Sequence, residues 1–100
     1  MIYCPFPDRG SAETTSVQLL DEKLIACANI GGSINSLFDW KGERGTGDEV
    51  AVLFKTDASL LDTAVARIEA LHPYDAPAVL GWPCPAAGKS TREWLGGLAC

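Results

Sequence analysis

The chain has 100 residues, 47% hydrophobic and 21% charged, with 8 Lys and Arg against 13 Asp and Glu for a net charge of −5. That size and balance fit one small domain over residues 1–100 and exclude an intrinsically disordered chain. The acidic balance, with basic residues scattered from Arg9 to Arg92, argues against a nucleic-acid partner. Apolar runs such as Leu24–Ile30 and Val50–Phe54 fall far short of the roughly 18 to 20 residues that a membrane span needs, so no membrane partner is expected.

Ile2–Phe6 is a short apolar strand pattern closed by Pro7-Asp8. A helix follows, with Asp8 as its N-cap and Ala12, Thr15, Ser16, Leu19 and Leu20 at helical spacing. The segment from Leu24 to Ile30 pauses at Gly31-Gly32 and resumes as an alternation to Lys41, which predicts one long strand bulged at the glycines. The polar, glycine-rich stretch 41–47 is predicted as a hairpin loop returning into a strand over 48–56. Asp57 or Ser59 then caps a second helix, whose Leu61, Ala64, Val65, Ile68 and Leu71 trace an apolar stripe until Pro73 stops it. A turn over 74–77, a strand over 78–82 and a third helix over 89–98 complete the chain.

The order β, α, β, β, α, β with a C-terminal helix is the α+β, ferredoxin-like split βαβ-βαβ pattern, in which two helices cover one face of a four-stranded antiparallel sheet. Tyr3, Phe38, Trp40, Trp82 and Trp94 carry more aromatic surface than two helices can hide. A subunit interface on the open face or the edges is expected.

No phosphate-binding glycine loop or nucleophile elbow is present. His72, the sole histidine, closes the second helix and admits two readings: a helix-end residue packed on Tyr74, or a metal ligand. Imidazole and thiolate donors suit copper, and the donors in reach of sequence reasoning are Cys4, His72 and Asp75, with Asp8 beyond them, though no diagnostic spacing links them. Cys4, on a strand end beside the Pro7-Asp8 turn, admits a sheet-edge position where its thiolate reaches solvent or a neighbouring subunit; Cys27 is expected in the core, and Cys84 and Cys100 at the periphery. The four cysteines contain no CxxC pair and read as reduced thiols, and with no secretory leader visible the expected compartment is the cytosol. Asp39, Glu43, Asp48 and Glu49 read as a solvated hairpin tip. Cys4 with His72 is the one nucleophile–base pair available, and with no oxyanion hole or orienting group beside it an enzyme is not expected.

Four blocks carry a family likeness in order and spacing: LIACANIGGSINSLFDWKGE, DEVAVLFKTD, ALHPYDAPAVLGWP and the closing EWL, preceded by CPFPD. Together they resemble the CutA family of divalent-cation tolerance proteins over nearly the whole chain. The resemblance implies a ferredoxin-like subunit in a tight homotrimer, strands continuing between subunits, and a role in tolerance to copper and other divalent metal ions. It carries the copper ligands over to Cys4 and His72, with help from Asp75, water or a neighbouring chain. Leu71 stands where some members have a second histidine, and Arg44-Gly45-Thr46-Gly47 replaces an acidic segment common in the family hairpin. The build is also similar to that of the PII signalling proteins, which defines an alternative: a trimeric sensor or docking module holding a small ligand or protein partner in intersubunit clefts, with Lys55, Trp40 and Tyr74 as cleft residues.

Overall fold

The computed structural model describes residues 1–99; Cys100, expected at the periphery, lies outside the described residues. Strand β1 (Ile2–Phe6) leads into helix α1 (Arg9–Asp21), strands β2 (Cys27–Trp40) and β3 (Glu43–Lys55), a 3₁₀ turn over Ala58–Leu60, helix α2 (Leu61–Leu71), strand β4 (Leu80–Gly81) and helix α3 (Lys89–Leu98). The strands form one antiparallel sheet in the order β2-β3-β1-β4, the ferredoxin-like arrangement. None of the described helices is long and apolar enough to cross a membrane.

Local chemistry sets the helix ends. The Asp8 carboxylate accepts the Ser11 N–H at 2.7 Å, satisfying one of the orphan donors at the start of α1. Its far end closes through Lys23 at φ 58°, the left-handed residue that lets the Leu24 N–H reach the Leu19 carbonyl. Asp57 caps the 3₁₀ turn that feeds α2 by accepting from the Ser59 N–H at 3.0 Å.

Every second residue of β1, namely Ile2, Cys4 and Phe6, is fully buried against Val52 and Phe54 of β3, Ala12 and Leu19 of α1, Ile25, and Ala64 and Ile68 of α2. Phe6 and Phe54 meet edge to face with ring centroids 6.3 Å apart. Each large apolar side chain buried this way contributes about 1.5–3 kcal/mol. Arg67 donates Nε and Nη2 to the two Glu22 carboxylate oxygens at 2.7 and 2.8 Å, tying α2 to the end of α1.

Two strand boundaries differ from expectation. The hairpin turn is only Lys41-Gly42, with φ 51° and 81°. This is the two-residue turn whose twist matches the flanking strands, so residues 43–47 belong to the ladder rather than to a loop. Gly45 sits in that ladder because the Phe38 ring lies across it: a Cβ there would be 2.5 Å from Phe38 Cε2. At the other edge, β4 is a short strand over Leu80–Gly81 paired with β1 at Ile2↔Gly81 and Tyr3↔Leu80, instead of a strand over 78–82. Met1 and Trp82 extend that pairing by exchanging backbone hydrogen bonds at 3.0 and 2.9 Å, and at the other end Pro5 lacks the N–H that would continue the ladder. The bulge expected at Gly31-Gly32 is present as the register shift between Ile30 and Ser33, where a Cβ on Gly31 would lie 3.2 Å from the Ala51 carbonyl oxygen.

The distal part of β2 and β3 projects as an arm. Fourteen strand residues at about 3.3 Å each span roughly 46 Å, which matches the molecule's 43 Å long axis. No residue of β2 is fully buried.

Candidate functional site

The residues singled out by sequence converge on the C-terminal end of β1. His72 ends α2, its N–H donating to the Ile68 carbonyl at 2.9 Å before the chain turns extended at φ −67°, ψ 141°. The imidazole is 7% exposed and stacks on Phe6 with centroids 4.5 Å apart. The Tyr74 ring flanks it at 4.8 Å, so the packing partner expected for a helix-end residue is present and Phe6 is added to it.

Both ring nitrogens are occupied. Nδ1 accepts the Tyr74 N–H at 3.1 Å, which assigns the proton to Nε2, and Nε2–H donates to the Pro5 carbonyl at 2.8 Å. The same carbonyl receives the Cys4 thiol at 3.6 Å. His72 therefore fastens the end of α2 to β1 beyond the point where β4 stops.

Cys4 is 0% exposed, on a central strand rather than at a sheet edge, which corrects the expectation of a solvent-reaching thiolate. Burial, and secondarily the negative charge of Glu49, pushes its thiol up to about 12, so it stays protonated at neutral pH. The Tyr74 hydroxyl donates to Glu49 Oε2 at 3.1 Å, and desolvation together with that bond raises the phenol above its ordinary value. Asp75 lies in the exposed turn beyond Tyr74, with no hydrogen bond or ion pair among the described residues. Asp8 is committed to the α1 cap, and its bonds from Ser11 hold its carboxyl below the usual range.

A divalent metal needs deprotonated thiolate and an imidazole lone pair. Cys4 offers neither charge nor access, and the one lone pair of neutral His72 is taken by Tyr74. The structure brings Cys4 and His72 to one carbonyl and leaves Asp75 outside. Among the described residues, no three His, Cys, Asp or Glu side chains are grouped to hold a metal ion. The residues present do not fit a copper centre within one chain. Nor do Cys4 and His72 form a nucleophile–base pair, since neither ring nitrogen is bonded to the thiol.

Glu49 and Pro5 were the participants that sequence reading missed at this junction. The proline in an apolar strand was the available signal, because a strand residue without an N–H ends one side of the pairing. Cys27, expected in the core, is half-buried at the start of edge strand β2, with Sγ 3.8 Å from Asn29 Oδ1. Cys84 is exposed, as expected.

A four-stranded antiparallel sheet in this order, backed by two helices, defines an α+β protein of ferredoxin-like architecture. The CutA1 divalent ion tolerance protein family model matches residues 1–97, and the chain belongs to that family. The divalent-cation tolerance protein CutA of Pyrococcus horikoshii is 36% identical over 95 residues, covering 95% of this chain and 92% of its own. The chloroplastic protein CutA of Arabidopsis thaliana is 32% identical over 95 residues, 95% of this chain and 52% of its own, so the chain spans about half the length of that relative. The crystal structure of CutA1 from Ehrlichia chaffeensis superposes with a TM-score of 0.90 at 34% identity, covering 99% of this chain and 92% of that one.

Proposed function

We propose that this protein serves divalent-cation tolerance as a non-catalytic cytosolic homotrimer whose subunits cover one another's β2–β3 arms. One observation carries the assembly: the arm leaves Leu37, Phe38 and Trp40 at 74%, 48% and 56% exposure on a long edge strand. Such an edge offers unpaired backbone groups and an apolar surface together, and monomers seldom leave both open. Free thiols at Cys4, Cys27 and Cys84 accord with a reducing compartment.

The family membership supports an interaction with divalent ions, copper(II) among them. Placing copper on Cys4, His72 and Asp75 requires the thiol to lose its proton, His72 to release the Tyr74 N–H and Asp75 to turn inward. The geometry favours tolerance exerted by the assembled protein, with the Cys4–His72 junction serving the fold. Sedimentation equilibrium tests the assembly, the expected species having three times the 10.6 kDa chain mass; a stable monomer at micromolar concentration contradicts it. Calorimetric titration with Cu²⁺ tests the junction: Cys4→Ala should bind copper as the unmodified protein does, and loss of binding would restore Cys4 as a ligand.

A further inference from the structure

Two of the clefts on the described surface differ in lining. The first, about 460 Å³, lies between the head of α1 and the Gly31-Gly32 bulge and is walled by Asp8, Asp48 and Glu49. The second, about 420 Å³, lies between the end of β3, the start of α2, the segment after β4, and α3. Its volume falls within the roughly 300–1,000 Å³ of small-molecule pockets.

The wall of the second cleft is apolar and aromatic, with Leu61, Trp82, Trp94 and Leu95 prominent. Thr91, Trp94 and Leu95 turn one face of α3 onto it, at i, i+3 and i+4. No residue of that helix is fully buried: Thr91 and Leu95 are half-buried where they line the cleft, and Trp94 is exposed. Trp82 and Trp94 stay 43% and 50% exposed.

Two cations stand on the same wall. The Lys55 ammonium has no ion pair or hydrogen bond among the described residues. Arg92 is held by backbone carbonyls alone, Nε on Ala87 at 3.1 Å and Nη2 on Pro85, so its guanidinium is oriented without being neutralised. The lining carboxylate, Asp57, is engaged in capping at Ser59. Lys55 and Arg92 against the single carboxylate of Asp57 leave the lining positive beside two indoles, which is notable on a chain of net charge −5.

We propose that this cleft binds a small planar aromatic anion, with its ring against Trp82 and Trp94 and its carboxylate or phosphate on Lys55 and Arg92. Indole faces take a flat ring by offset stacking, and charge-assisted hydrogen bonds fix the anionic end. The site needs neither the assembly nor a metal, so it stands or falls apart from the function proposed above.

Phenyl phosphate is the probe, titrated onto the full chain and followed by the indole N–H signals in two-dimensional NMR. It should shift the Trp82 and Trp94 signals saturably and leave Trp40 unmoved. Phenol and inorganic phosphate, each carrying half of the recognition, should bind about tenfold more weakly or worse, and Lys55→Gln should raise the Kd for phenyl phosphate about tenfold. Arg92→Gln provides a second variant and should weaken binding in the same direction. The proposal is overturned if phenyl phosphate gives no saturable shift, including the case where a neighbouring copy already fills the cleft. It is equally overturned if inorganic phosphate alone binds as well, or if both variants keep full affinity.

Discussion

In the body of the sheet, Ile2, Cys4 and Phe6 alternate inward against Val52 and Phe54, and helices α1 and α2 close over them until nothing of these five residues reaches solvent. Along the arm, from Ile34 to Gly47, an equally regular alternation buries nothing, although the same two strands are paired throughout. Pairing alone therefore makes a strand, and only a covering layer makes a core. The body carries its own cover. The arm has a hydrophobic side and no layer on it, and this is the physical content of the proposed trimer.

The difference can be broken from either side. The largest effect belongs to the body: Phe54→Ala should cost about 3–5 kcal/mol, since cavity and transfer terms add at a fully buried aromatic, and urea titration should show a markedly lower midpoint, an unchanged one contradicting the core placement. An arm substitution should act on association instead. Trp40→Asp places a charge on the exposed strand and should shift sedimentation from trimer toward monomer while far-UV circular dichroism keeps the strand signal; an unchanged trimer would remove the arm from the interface.

A smaller effect is expected where α2 meets β1. His72→Ala leaves the Tyr74 N–H without its acceptor and the Pro5 carbonyl with the weak Cys4 thiol alone, a loss of about 2 kcal/mol, read as a lower thermal midpoint at any metal concentration. If copper instead raised the midpoint of the unmodified protein and not of His72→Ala, the junction would be a metal site after all.

The smallest effect is electrostatic and pH-dependent. Hydrogen bonds from Arg67 and Gln18 hold the Glu22 carboxyl down to about 2 against an ordinary 4.5. A carboxyl lowered in the folded state stabilises fully above 4.5, and that contribution fades as the pH falls from 4.5 toward 2. The pair is partly exposed, so salt screens it. Urea midpoints measured between pH 6 and pH 3 should fall less steeply in Arg67→Ala than in the unmodified protein, and parallel slopes would mean that the pair adds nothing.

Much of the body was legible because its signals are local. Asp8 caps α1 as expected, the α2 stripe supplies Ala64 and Ile68 to the core, Gly31-Gly32 marks the bulge, and Lys89–Leu98 is the third helix. What escaped is long-range. Gly45 looked like loop chemistry because nothing nearby in sequence shows the Phe38 ring lying across it. Cys4, on a strand end beside the Pro7-Asp8 turn, read as a residue that could sit at a sheet edge, whereas strand order places β1 between β3 and β4. Cys4 and His72 meet at the Pro5 carbonyl, but the fate of the imidazole lone pair depends on the Tyr74 N–H, a backbone group that no side-chain pattern reveals.

Hydrogen exchange measured against protein concentration tests the division between body and arm most directly. Amides of β1 should stay protected at every concentration, while outward-facing amides of β2 along the arm should be protected when the protein is concentrated and exchange quickly on dilution into the dissociating range. Arm amides that exchange quickly even at the highest concentration would contradict a surface made to be covered by sister chains.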